Sequence, residues 1–147
     1  MLMPDVNILV YAHRREDPDH NFYRAWLEDL VNHSEPFAMS PLVGPAFVRI
    51  VTHPNFRPAP TPLAQALVVI DSILRAPSCS VVALGEQHWA LVKTLSEAVG
   101  ARGKLVADAQ HAAVAIANGC TWVTRDTDFE IFRPLGLRLE ILAPQCP

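Results

Sequence analysis

Cysteine, glycine and charge are all scarce in this chain, and each shortage removes a class of function. The three cysteines, Cys79, Cys120 and Cys146, are isolated and odd in number. They form no zinc spacing and no disulfide framework, so free, mostly buried thiols in a reducing cytoplasm are expected. The six glycines make no G-x-G-x-x-G phosphate loop, and there is no Gly-x-Ser-x-Gly elbow. The histidines are scattered without metal-ligand spacing. No apolar run is long enough to span a membrane. The N-terminus lacks the basic start of a secretory signal, and Asp5 interrupts its apolar run. Only 18% of the residues are charged and the net charge is −3. That balance argues against a generally basic nucleic-acid-binding protein while leaving room for a local basic patch.

What is present is a core. Half of the 147 residues are hydrophobic, enough for one domain and high enough to suggest that a partner covers part of the surface. Thirteen prolines cluster once, in "HPNFRPAPTP" at 53–62, which reads as a long internal loop because its flanks are too small to be separate domains. Elsewhere, short apolar strands alternate with helices. A strand ends near Asp5 and turns at once into the helix "VNILVYA". Residues 19–33 form a helix with Asp19 as cap and Phe22, Trp26 and Leu30 as its core stripe. A strand at 36–40 precedes helices at 41–53 and 61–76, the second capped by Thr61. A strand at 79–84, a helix at 86–100 stopped by Gly100, an alanine-rich helix at 103–119 and strands at 120–124 and 137–142 complete the chain. This alternation predicts an α/β fold with a parallel sheet flanked by helices.

Ligands in such folds bind beyond the carboxyl ends of the strands, and the aspartates fall there. Asp5 closes the first strand. Asp126 and Asp128 follow the strand "CTWVT". Asp108 lies early in a helix made mostly of Ala, Val, Ile and Leu. Each has an ordinary structural role open to it, as a helix cap or an ion-pair partner. Together they are harder to explain, because two carboxylates about 5 Å apart repel by roughly 3 kcal/mol at an effective dielectric of 20. An oxygen-only cluster suits a hard cation such as Mg²⁺ or Mn²⁺. Phosphodiester hydrolysis is the chemistry such an ion serves.

The stretches "MLMPDVNILVYA", "VGPAFVRIVTHPNF" and "LVADAQHAAVAIANGCTWVTRDTDF" resemble, in order and spacing, the PIN-domain family and in particular its VapC-type toxins. The resemblance implies a single Rossmann-like α/β/α domain over 1–147 and a Mg²⁺-dependent ribonuclease acting on RNA. It also implies a homodimer and neutralisation by a cognate antitoxin. Carried over by position, Asp5, Asp108 and Asp126 are the metal-binding acids, Asp128 is an additional catalytic acid, and Asn7 and Thr124 are supporting polar residues. Arg102, Lys104 and Arg125 form a basic rim that could hold RNA phosphates, against the plainer reading of surface charge. Arg49 is either an ion-pair partner of an active-site acid or a solvated charge. His111, one helical turn after Asp108, is either a partner of the site or a histidine at the core edge.

The chain departs from the family at one position, since Ala46 stands where many members carry a glutamate three residues before the matched arginine. A catalytically silent PIN-like module that only binds a partner is therefore the rival reading. A phospho-accepting receiver domain ranks lower, because the first strand ends Asp-Val-Asn and the only lysines are Lys93 and Lys104. Restoring the acid, Ala46→Glu, is expected to tighten Mn²⁺ binding in a calorimetric titration. Equal affinities would show that Ala46 does not occupy the family's glutamate position.

Overall fold

A computed structural model describes residues 1–145, so Cys146 lies outside the described residues. Five strands form one sheet: β1 (Leu2–Pro4), β2 (Phe37–Met39), β3 (Cys79–Val81), β4 (Thr121–Thr124) and β5 (Arg138–Ile141). Their order is β3-β2-β1-β4-β5, and every pairing is parallel. Chain order thus runs outward from β1 to one edge through β2 and β3, then returns to β1's other side for β4 and β5. That reversal separates the connections leaving β1 and β4, and the carboxyl ends at such a reversal are where sheets of this kind bind ligands. Leu2 pairs with Thr121 and Pro4 with Val123, so Asp5, which follows β1, and Thr124, the last residue of β4, arrive side by side.

The helices fall into two sets. Along the first half, α1 (Val6–His13) packs on α2 (His20–Asn32) and α3 (Val43–Val51), and α3 packs on α4 (Leu63–Leu74). In the second half, α5 (His88–Val99), α6 (Lys104–Ala117) and a 3₁₀ segment (Thr127–Leu135) pack together. The core between them is closed by Trp122, Tyr23, Phe37, Phe47, Phe129 and Phe132, all essentially buried. The proline-rich stretch at 53–62 carries no helix or strand, as its composition predicts. Among the described residues no helix is long and apolar enough to cross a membrane.

Three local expectations need correcting. The core stripe of α2 is not Phe22, Trp26 and Leu30: Phe22 is exposed and the other two are half-buried, while Tyr23 and His20 are buried. The fully buried tyrosine can sit there because its hydroxyl donates to the Leu142 carbonyl at 2.9 Å. Thr61 does not cap α4; Pro62 holds that position, and the Thr61 hydroxyl is hydrogen-bonded to His13 Nε2 at 2.8 Å. Asp19 does stand at the start of α2, but its carboxylate makes no capping bond and instead faces Arg125 at 3.4 Å.

The alanines of α6 have a clear purpose. Ala109, Ala112, Ala113 and Ala115 are all fully buried, so the helix backbone lies close against its neighbours. Larger side chains there have no space to fill. Ala113→Leu is expected to lower stability by about 1–3 kcal/mol in urea denaturation through overpacking. The exposed neighbour change Gln110→Leu should stay within about 0.5 kcal/mol of the wild type.

Candidate active site

The site assembles from three chain segments. Asp5 follows β1 and caps α1, accepting the Val6 backbone N–H on Oδ1 at 2.6 Å. Its backbone N–H donates to the Val123 carbonyl at 2.8 Å, which ties the end of β1 to β4. Its second oxygen, Oδ2, accepts the Thr124 hydroxyl at 2.6 Å. Thr124 Oγ1 in turn accepts from Asn7 Nδ2 at 3.1 Å and from the Asp126 backbone N–H at 3.0 Å. One buried hydroxyl therefore joins α1, β4 and the turn that carries the remaining acids.

Asp108, Asp126 and Asp128 present carboxylate oxygens that all lie within 4.8 Å of one another. Asp108 is buried in the second turn of α6, and Asp126 caps the 3₁₀ segment by accepting the Asp128 N–H at 2.9 Å. The capping role and a place in the cluster are thus filled by one side chain. Between the three acids sits the Lys104 ammonium. It donates to Asp126 Oδ2 at 2.7 Å and to Asp108 Oδ2 at 3.1 Å, and it lies 3.6 Å from Asp128 Oδ2. Asp5 stands outside that group of three, with both oxygens engaged by Val6 and Thr124.

Protonation follows these surroundings. Burial pushes Asp5 up to about 6, against the Thr124 and Val6 hydrogen bonds, and the charges of Asp108 and Asp126 push it further the same way. Burial also raises Asp108, with Lys104 opposing. At Asp126 burial is outweighed by the Lys104 ammonium and the Asp128 N–H, which hold the carboxyl below its ordinary value. Hydrogen bonding to Asp126, ahead of that to Asp108, raises Lys104 well above its ordinary value, so it is charged at neutral pH.

The other candidates go elsewhere. The Arg125 guanidinium lies 4.2 Å from the Tyr11 ring centroid and pairs with Asp19, so it fastens the turn to α1 and α2 rather than standing free on a rim. Arg102 is exposed and unpaired among the described residues. Lys104 belongs to the cluster, not to the rim; its position four residues before Asp108 was the one sequence signal for that contact. Arg49 is exposed and forms no ion pair among the described residues. His111 stacks on Trp122 at 5.2 Å, and burial lowers it to about 4, so it is a neutral core-edge histidine.

A match to the family model described as "PIN domain" covers residues 2–133. The chain belongs to the PIN-domain family. Similar relatives of this PIN domain include a VapC ribonuclease of Mycobacterium bovis, Mb2897, and Ribonuclease VapC43 of Mycobacterium tuberculosis. Each is 40% identical over 138 residues, covering 94% of both chains. Ribonuclease VapC31 of Mycobacterium tuberculosis is 32% identical over 132 residues, covering 90% of this chain and 93% of the relative. The fold also matches a crystal structure of VapBC2 from Rickettsia felis bound to a DNA fragment from their promoter. There the TM-score is 0.65 at 23% identity, covering 95% of this chain and 96% of that one.

The donor set fits a hard divalent cation. It is made of carboxylate oxygens alone, and a cationic group, the Lys104 ammonium, already sits where they converge.

The pKa of Asp5 makes a test in chelator. The folded state keeps the Asp5 proton up to about pH 6, whereas the ordinary value is 3.8. The associated stability is fully present below pH 3.8 and is lost as pH rises through 6. In urea denaturation with EDTA, Asp5→Asn should therefore gain on the wild type by up to about 3 kcal/mol between pH 4 and pH 7. A difference that does not change with pH would show that Asp5 titrates at its ordinary value in the folded state.

Proposed function

We propose that this PIN domain is a metal-dependent endoribonuclease, the toxin of a type II toxin–antitoxin pair. The observation that carries the reading is the group of three carboxylates within 4.8 Å at the carboxyl edge of a parallel sheet. Ribonuclease names on relatives that match nearly the whole chain support RNA as substrate.

In this reading Asp108 and Asp126 hold a Mg²⁺ or Mn²⁺ ion, with Asp5 completing the acidic pocket from β1. When bound, such an ion supplies Lewis-acid charge at a phosphate and makes water a stronger nucleophile. The chain's own residues do the positioning. Asp108 is held by a buried helix, and Asp126 by its own capping bond and the Thr124 hydroxyl. Asp128, two-thirds exposed at 67%, faces solvent and orients the attacking water. Thr124 and Asn7 keep the Asp5 carboxylate aimed. Arg102, free on the loop before α6, takes an RNA phosphate as a positioning contact; Arg125 acts by anchoring the turn.

A cognate antitoxin, a homodimer and a cytoplasmic setting belong to the same reading. Exposed Leu63, Leu67, Val68 and Leu74 on α4 support a covered surface. Beside them, Val81, Met39, Pro45 and Val48 line an apolar groove of about 540 Å³. The second reading, a silent partner-binding module, is favoured by Ala46 and by the neutralising Lys104.

Cleavage of bulk RNA with and without Mn²⁺ separates the two. Activity is expected only with metal. Asp108→Asn should lower it by more than the roughly 10–100-fold that indirect changes around a metal cost. The mutant should keep its fold, since it removes one charge from a repelling group. No cleavage by the wild type in either condition would leave the silent module as the function.

A further inference from the structure

Lys104 is the first residue of α6, and its side chain is 65% exposed, yet its ammonium reaches three carboxylates from two separate segments. An ammonium has three protons to donate and no acceptor, so a single group can face Asp108, Asp126 and Asp128 together. The oxygens it touches, Oδ2 of Asp108 and Oδ2 of Asp126, are donors that a divalent cation in the cluster would need. The exposed stem leaves a path into solvent. Arg102, two residues earlier, carries the same charge and touches none of these acids.

We infer that Lys104 is a built-in counter-ion of the acid cluster, and that its ammonium and a divalent cation occupy the same position by turns. The inference rests on the metal-site reading above and adds to it a cost of metal entry. Without metal, Lys104 offsets one of the three negative charges and holds the turn after β4 to the start of α6. Metal binds only the fraction of molecules in which the ammonium has left. When a site is open a fraction f of the time, its apparent dissociation constant rises by 1/f. An ammonium seated about nine-tenths of the time weakens the ion about tenfold.

Calorimetric titration of Mn²⁺ into the wild type, Lys104→Met and Arg102→Met tests this, run at about 0.5 M ionic strength so that distant charges are screened. The expected result is about tenfold tighter binding for Lys104→Met and less than about twofold change for Arg102→Met. A thermal melt gives a second readout: Lys104→Met should melt lower than wild type in EDTA and gain more from Mn²⁺. If Lys104→Met is unfolded at the titration temperature, Lys104→Gln carries the same test. Equal tightening by the Lys104 and Arg102 variants would reveal only a general charge effect and overturn the proposal. Unchanged or weaker binding by the Lys104 variants would overturn it too, while leaving the metal site in place. No Mn²⁺ binding by any of the three proteins would overturn both this inference and the metal-site reading.

Discussion

Negative charge gathered at one edge of the sheet is the constraint around which the rest of this domain is arranged. Asp108, Asp126 and Asp128 meet beyond the end of β4, and Asp5, at the end of β1, is joined to them through the Thr124 hydroxyl. Left alone, such a group would push those segments apart, because like charges a few ångströms apart repel by kilocalories even at a moderate dielectric. The molecule answers in three ways. It raises the pKa of the most enclosed acid, Asp5, by burial. It gives Asp5 and Asp126 backbone N–H donors through their capping bonds. It places one ammonium between the other three.

Thr124 is the mechanical counterpart of that electrostatic arrangement. Its hydroxyl donates to Asp5 and accepts from Asn7 and from the Asp126 backbone. The hydroxyl therefore reads three positions at once: the end of β1, the first turn of α1 and the turn after β4. Replacing it by an apolar group of similar size would leave Asp5 Oδ2 buried without a partner, a more costly loss than the hydrogen bond alone. The Arg125 guanidinium, stacked on Tyr11 and paired with Asp19, fastens the same turn from the other side. Positioning here is shared between a buried hydroxyl and a half-buried cation, neither of which belongs to the acid cluster.

The apolar surplus of the chain has a matching location. Much of it is internal, in the aromatic core and the close-packed alanines of α6, but α4 and edge strand β3 leave Leu67, Leu74 and Val81 on the surface. The groove they border lies along the first set of helices, whereas the acids lie between the first strand and the second set. Exposed apolar side chains are not confined to that groove: Ile131 borders the acids and Trp89 stands out from α5.

Local pattern carried a great deal of this. The alternation of short apolar strands with helices sufficed for a parallel α/β sheet, and nearly every element was placed to within a few residues. The acids at strand ends were visible because an aspartate is conspicuous in an apolar run. The errors were contacts between distant segments. Nothing in the spacing of α2 says that Tyr23 rather than Phe22 is buried, since that depends on the Leu142 carbonyl 119 residues away. Thr61 looked like a cap, but His13 competes for its hydroxyl. Arg125 and Lys104 looked alike as basic neighbours of aspartates. Only the fold turned one onto Tyr11 and the other into the acid cluster. Composition, periodicity and residue order thus determined the architecture and singled out the acids, because burial and backbone pairing follow from local chemistry. Which acid is capped, which is paired with Lys104 and which cation points inward were decided by tertiary structure, because hydrogen bonds and ion pairs depend on which side chains the completed sheet brings within about 3 Å.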